Sequence, residues 1–373
     1  MQRMYYVVNA RMPTDKAHGL QIAKMCAAFA GVGVPVTLLL PRRATVEKED
    51  LFTAYAVPQT FSVEYLPSIA LPLSIPGAFA LQTITFALSA RWRLWREKGR
   101  AIVYTRGEML LFLAPLLPKR FALVWEAHIK PKNLARYRAA VARCAAVVAV
   151  TKFFVSEIPT LWRIKPTQVC YAPDGVELRD FASPEPKEVA RTRLGLPLTR
   201  PVALYIGRID GWKGVDILYD AATQLPEVCA AVIGGEPAQV AVATQAHPQV
   251  HFVGYRPYRE LSDNQAAADI LVLTGDPQSA IAQRYTSPLK LFTYMASGVP
   301  IVAADLPCFR DVLSEQNAFL CEATPDAYAA AIRHVLAHPA DAAVRAANAL
   351  QEVQQYSWDI RAEHIISHIN AQL

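Results

Sequence analysis

The sequence predicts an α/β protein built from two doubly wound, Rossmann-like domains facing each other across a cleft. Short apolar runs alternate with amphipathic helical stretches nearly throughout the 373 residues. The alternation falls into two blocks, separated by a polar stretch with Pro184, Pro186, Pro197 and Pro201. The apolar runs are continuous rather than alternating, as suits strands buried on both faces of a parallel sheet. The length gives two or three domains. Ligands of such sheets bind beyond the carboxyl ends of the strands.

The first block predicts strands at Tyr5–Asn9, Val36–Leu40, Ile102–Tyr104, Ala122–Trp125 and Ala145–Val150. Leu20, Ile22, Ala23, Cys26 and Phe29 repeat at helical spacing over Gly19–Ala30, and Gly31 and Gly33 end that helix. Residues 181–200 read as a linker with one short helix at Val189–Leu194. The second block predicts strands at Val202–Ile206, Ala230–Ile233, His251–Val253, Ile270–Leu273 and Ile301–Ala303. Helical patterns follow at Val215–Gln224, Tyr258–Ala267, Pro288–Ala296 and 325–355. Trp358, Ile360, Ile365, Ile366 and Ile369 mark a last amphipathic helix at Tyr356–Leu373.

An apolar share of 53% with 19% charged residues excludes a mainly disordered chain. Residues 1–180 carry 24 Lys and Arg against 12 Asp and Glu, and the remainder 14 against 20. A basic first half points to an anionic partner. No nucleic-acid motif accompanies the densest cluster, Arg91, Arg93, Arg96, Lys98 and Arg100, so phospholipid or a phosphorylated substrate fits better than nucleic acid. The six cysteines lack CxxC spacing and sit mostly in apolar runs, as reduced core residues of a reducing compartment do. The N-terminus lacks the apolar core and cleavage site of a signal peptide. The uncharged stretch from Tyr65 to Ala90 is long enough to span a bilayer, but Pro67, Pro72, Pro76 and Gly77 break it. Residues 75–98 join this segment to Arg91, Trp92, Arg93, Trp95 and Arg96. That pattern suits a monotopic membrane contact, and equally a domain helix with a solvated basic end.

The stretch from Leu204 to Asp216 holds the most chemistry. A strand ends at Gly207, Arg208 follows, and Lys213-Gly214 opens a helix. Two cations at a strand end and a helix N-terminus suit a diphosphate, although a solvated loop shows the same spacing. Gly234, Gly235 and Gly254 follow strands, where glycine allows close backbone approach or a tight turn. Ser287 suits an N-cap with Pro288 at the first helical position. The N–H groups of Leu289 and Lys290 would then be open to an anion. His334/His338 and His364/His368 have helical spacing without a third metal ligand, and no Asp-x-Asp ends a strand.

In this order, the motifs resemble the retaining glycosyltransferases of family 4, which have the two-domain GT-B fold. The resemblance rests on Gly207-Arg208 with Lys213-Gly214, on Ser287-Pro-Leu-Lys290, and on Tyr294-Met-Ala-Ser-Gly298 with Pro300-Ile-Val302. Ala172-Pro-Asp-Gly-Val176, Gly234-Gly235, Val253-Gly254-Tyr255 and Tyr356-Ser-Trp358 support it. It implies an acceptor domain at 1–180, a donor domain at 181–355, and a helix at 356–373 that crosses back onto the first domain. Arg208 and Lys213 would hold the donor diphosphate and stabilise the departing nucleotide. Leu289 and Lys290 would offer backbone amides to the phosphates. Gly234, Gly235, Gly254 and Tyr255 would surround nucleobase and ribose, and His18 and Gly19 would reach over the diphosphate. His128, after Trp125-Glu-Ala, matches the histidine beside the transferred sugar. Glu126 is either an acid near the site or a salt-bridge partner of Lys130 or Lys132. Arg106 either meets an anionic acceptor or lies on the surface. The family usually carries two glutamates here, replaced by Tyr285 and Thr293, whose hydroxyls can still hydrogen-bond without charge assistance.

The expected activity is transfer of a hexose-like sugar, with retention, from a nucleoside-diphosphate sugar to a hydroxyl acceptor. It needs no metal or cofactor if Arg208 and Lys213 neutralise the phosphates. The context is surface-glycan or lipid-linked saccharide synthesis, in the cytoplasm or at the inner face of the cell membrane, with an anionic membrane surface as a further partner. The competing readings are a sugar-nucleotide epimerase of the same architecture and a weakly active or inactive sugar-nucleotide or glycan-binding partner of another transferase.

Overall fold

A computed structural model describes residues 2–14, 16–42, 50–71, 74–131, 133–209 and 213–373. Pro72, Lys132 and residues 210–212 lie outside the described residues. The chain forms two compact units. One runs to Pro173 and includes Trp358–Leu373; the other is Asp174–Ser357. The expected break at 180/181 therefore lies earlier. Leu178 and Phe181 pack against the second unit's core, and the Val176 N–H donates to the Tyr356 carbonyl within that unit.

The first unit holds a seven-stranded sheet: β1 (Arg3–Val7), β2 (Val36–Pro41), β3 (Ser62–Leu66), β4 (Ala101–Thr105), β5 (Phe121–Ala127), β6 (Ala146–Ala149) and β7 (Val169–Tyr171). Its order is β3-β2-β1-β4-β5-β6-β7, with every pair parallel. Every residue of β2, β4, β5 and β6 is buried, which is why their sequences are apolar without alternation. Tyr104 packs edge-on against Tyr6 and Phe29, and Trp125 against Trp162. Helix Ala17–Gly31 packs beside helix Trp358–Ala371, whose Ala362, Ile365 and Ile369 are wholly buried. That apolar stripe keeps the C-terminal helix with the first unit. The helix begins at Trp358 because Val353–Tyr356 forms a separate 3-10 turn.

The second unit holds β8 (Val202–Ile206), β9 (Cys229–Ile233), β10 (Val250–Gly254), β11 (Ile270–Leu273), β12 (Ile301–Ala304) and β13 (Phe319–Cys321). The order is β10-β9-β8-β11-β12-β13, again all parallel. In each unit the order reverses beside the first strand, between β1 and β4 and between β8 and β11. Such switch points open a crevice at the carboxyl edge.

The sequence reading omits β3, β7 and β13. β3 is an edge strand with mostly exposed or half-buried residues, and the other two have three residues each. It also omits helices Leu134–Ala142, Lys152–Trp162 and Pro237–Ala246. All six cysteines are free, and burial lifts the Cys144 and Cys308 thiols to about 12. Among the described residues no helix is long and apolar enough to cross a membrane.

Candidate functional site

In the second unit the ends of three neighbouring strands are tied together by backbone. The Gly207 N–H donates to the Ile233 carbonyl, and the Gly234 N–H to the Gly254 carbonyl, each at 2.9 Å. Gly234 has φ +136°, and a Cβ there would lie 1.9 Å from the Gly207 carbonyl oxygen. At Gly207, φ +153°, a Cβ would lie 2.7 Å from Lys290 Nζ. Only glycine lets these strand ends converge. Gly235 and Tyr255 extend the same edge, and Tyr255 is exposed.

Lys290 sits on helix Leu289–Ala296. That helix is pinned to β8 because the Ile206 N–H donates to the wholly buried Tyr294 hydroxyl at 2.9 Å. Lys290 Nζ lies 3.7 Å above the Tyr205 ring, and it has no hydrogen-bond partner among the described residues. Burial, and then the charge of Lys213, push its pKa well below the ordinary lysine value. The Thr274 hydroxyl, beyond β11, donates to the Lys213 carbonyl at 2.9 Å. Lys213, Thr274, Gly275, Pro288, Lys290 and Phe309 line one recess at this switch point. Exposed Arg208 lies two residues beyond the end of β8, after Gly207.

Two expectations in this unit are corrected. Ser287 is not the N-cap. Pro288, with extended backbone, takes the cap position, and Ser287 Oγ accepts a hydrogen bond from the Asp174 N–H at 2.9 Å. The first-turn N–H groups of Leu289 and Lys290 still lie where no helix carbonyl reaches them. Thr293 is not open to a donor. It is 4% exposed, its hydroxyl donates to the Lys290 carbonyl, and it accepts from the buried Gln265 amide. Tyr285 is also buried, in the π-helical turn Ile281–Tyr285.

In the first unit the carboxyl ends of β4 and β5 carry a buried polar network. Glu126 is wholly buried and accepts from Gln21 at 2.6 Å, Tyr104 at 2.5 Å and Arg361 at 3.0 Å. His128 Nε2 lies 2.7 Å from the same carboxylate. Burial alone opposes ionisation of Glu126, but Arg361 and then His128 outweigh it and hold the carboxyl well below the usual range. Glu126 is thus wholly buried among Gln21, Tyr104, His128 and Arg361, and Lys130 is not among its partners. Lys130 pairs with Glu157 at 2.6 Å. Arg106 donates to Gln21 at 2.6 Å, joining the edge of this network while half-exposed. Burial, reinforced by Arg106, Lys16 and His128, lowers the half-buried His18 to about 4, so it is neutral at pH 7. Gly19 makes room for Tyr55, whose hydroxyl would lie 2.1 Å from a Cβ there. Sequence reasoning missed Gln21 and Arg361. Nothing in one sequence links Arg361 to a carboxylate 235 residues away.

Among the described residues no three His, Cys, Asp or Glu gather as metal ligands, and His334 and His338 stack on each other at 4.1 Å.

Residues 200–338 match the family described as Glycosyl transferases group 1. A D-inositol 3-phosphate glycosyltransferase of Xylanimonas cellulosilytica is 29% identical over 236 residues, covering 59% of this chain and 55% of that protein. The chain thus spans about half the length of that curated relative. The sucrose-phosphate synthase of Thermosynechococcus elongatus superposes with TM-score 0.77 at 19% identity, covering 98% of both chains. Anabaena HepE in complex with UDP-glucose superposes with TM-score 0.76 at 18% identity, covering 100% of both. Residues 200–338 of the second unit are thus similar to the group 1 glycosyl transferases, and the whole chain has the GT-B fold of two parallel-sheet, Rossmann-like domains.

Proposed function

We propose that this protein transfers a sugar, with retention, from a nucleoside-diphosphate sugar to a hydroxyl acceptor. The observation that carries the reading is the Lys290 ammonium, shielded from solvent and without a hydrogen-bond partner among the described residues. An isolated buried cation is costly, and an anion in the adjoining recess removes that cost. A diphosphate fits the surroundings. Lys213 lines the same recess, Arg208 follows the neighbouring strand end, and the first-turn amides of Leu289 and Lys290 add donors.

Cleavage of the sugar–phosphate bond leaves the bonding electron pair on the diphosphate oxygen and positive character on the sugar. Cations fixed beforehand around the leaving group lower that barrier electrostatically, and each such contact is worth roughly 10²–10³ in rate. No metal is required in this scheme, because Arg208, Lys213 and Lys290 neutralise the phosphates. His128, held by Glu126, is the residue that the family resemblance puts beside the transferred sugar. HepE, solved with UDP-glucose, supports a nucleotide-sugar donor by analogy of fold. Six free cysteines support a reducing, cytoplasmic setting.

Sugar release from UDP-, GDP-, ADP- and dTDP-linked hexoses, followed by NMR of the product's anomeric proton, tests the reading. One donor should react with its α or β configuration kept, and Arg208→Ala should slow it at least about 100-fold. Inversion, or an unaffected Arg208→Ala, contradicts it. The second reading is a nucleotide-sugar-binding protein without turnover. It is favoured by the buried Thr293 and Tyr285, which leave no carboxylate at those two positions.

A further inference from the structure

Helix Ala78–Trp95 is apolar on both faces. Its inner face, with Phe86, Ala90 and Leu94 wholly buried, packs onto the first unit. Its outer face presents Ile84, Leu88, Trp92 and Trp95 at 56%, 52%, 58% and 68% exposure. These positions are three or four apart and so share one side of the helix. The Ile69 N–H donates to Thr85 Oγ1 at 3.0 Å, which brings the 51% exposed Ile69 beside the same turns. A helix that is apolar all round is ordinarily covered. An exposed apolar face this continuous marks a contact surface.

Charge identifies the occupant. Residues 65–96 contain no Asp or Glu. Arg91, Arg96, Lys98 and Arg100 are all exposed around the helix's C-terminal end, and Arg91 and Arg96 have no ion pair among the described residues. The Arg96 guanidinium lies 3.7 Å over the Trp92 ring, so cation and aromatic share one edge of the patch. Arg93 differs, since it turns inward to Glu64 at 2.6 Å. A second copy packed with the two helices parallel would set the two arginine clusters against each other, and an antiparallel copy would lay them on a stretch, residues 65–96, that has no carboxylate. A negatively charged, apolar-cored surface matches both halves of the patch. Trp suits the headgroup level, and Lys and Arg attract anionic lipid.

We propose that this outer face docks the first unit on an anionic lipid bilayer. Ile84, Leu88 and Trp92 enter the acyl boundary, while Arg91, Arg96 and Lys98 lie on the headgroups. The helix lies in the plane of the interface and does not cross it.

Flotation of the full chain with vesicles tests this. One set is phosphatidylcholine alone, the other phosphatidylcholine with an equal share of phosphatidylglycerol. Two double variants are compared, Leu88→Asn with Trp92→Asn and Arg91→Glu with Arg96→Glu. All four side chains are exposed, so both variants should keep the wild-type melting temperature and nucleotide binding. Wild type should float with the anionic vesicles, with a blue shift of tryptophan emission. Each variant, and wild type on phosphatidylcholine alone, should bind at least about tenfold more weakly. Wild type left unbound by anionic vesicles overturns the proposal, as does equal binding by the variants. A wild-type dimer in light scattering that Leu88→Asn with Trp92→Asn makes monomeric also overturns it, because the face is then a self-contact.

Discussion

Arg361 Nη2 lies 3.0 Å from Glu126 Oε1, and both side chains are buried. The pair clamps the C-terminal helix to β5, because Arg361 also donates to the carbonyls of Ala172 and Pro173. His128 hangs from the same carboxylate. One buried ion pair thus joins the chain's last helix to the histidine proposed to meet the sugar. Removing one partner of such a pair strands the other charge, which costs about 3–5 kcal/mol. Arg361→Met should lower unfolding stability by about that much in urea titrations. Glu126→Gln combined with Arg361→Met should recover part of the loss, and a double variant worse than the single would refute the pairing.

Acid should weaken the first unit through two groups. The Glu126 pKa is held below its ordinary 4.5, so the stability it contributes is complete above that value and drains away as pH falls below it. His18 is lowered from 6.5 to about 4, so its contribution is complete above 6.5 and fades as pH falls toward 4. Wild-type stability should therefore decline below pH 6.5 more steeply than that of His18→Gln. An NMR titration should give the His18 imidazole a midpoint near 4, and a midpoint near 6.5 would contradict its burial.

Lys290→Met should stabilise the ligand-free protein by about 1–3 kcal/mol, since it removes a buried cation without a hydrogen-bond partner among the described residues. The pKa of Lys290 is depressed, so the strain is full at low pH and is relieved as pH rises toward the ordinary 10.5. The advantage of the variant should shrink over that rise. Urea midpoints of both proteins across pH check this, and a destabilised Lys290→Met would count against it.

Thr293→Val should cost about 1–2 kcal/mol, because it leaves the Gln265 amide and the Lys290 carbonyl without their shared hydroxyl. Donor affinity should be unchanged if Thr293 is structural. A loss of affinity at unchanged stability would make Thr293 a donor-binding residue.

Gly234→Ala should lose about 3 kcal/mol or more, as its Cβ would lie 1.9 Å from the Gly207 carbonyl. Thermal unfolding reads this directly, and a neutral substitution would mean that the strand ends do not converge.

Most of the fold was legible because strands buried on both faces are mostly apolar, as in β2, β4 and β6, and in β5 apart from Glu126. β3 carries Glu64 on an exposed edge, and β7 and β13 are too short to show a period. Glycines 207 and 234 were legible as strand-end glycines, but the contacts that require them, with Lys290 and with the Gly207 carbonyl, come from distant segments. Ser287 was misread because Pro288 itself adopts the extended cap conformation and frees the serine for Asp174. At Glu126 the sequence does not reveal Gln21, Tyr104 and Arg361, because these partners come from distant elements that only the folded sheet brings together.

In the proposed reaction the recess around Lys290 holds the diphosphate of a nucleotide sugar. Thermal-shift titrations of UDP, GDP, ADP and dTDP on wild type and on Lys290→Met test it most directly. One nucleotide at 100 times its dissociation constant should stabilise wild type by about 2.7 kcal/mol and the variant by far less. Equal stabilisation of both proteins, or none by any nucleotide, would contradict that assignment.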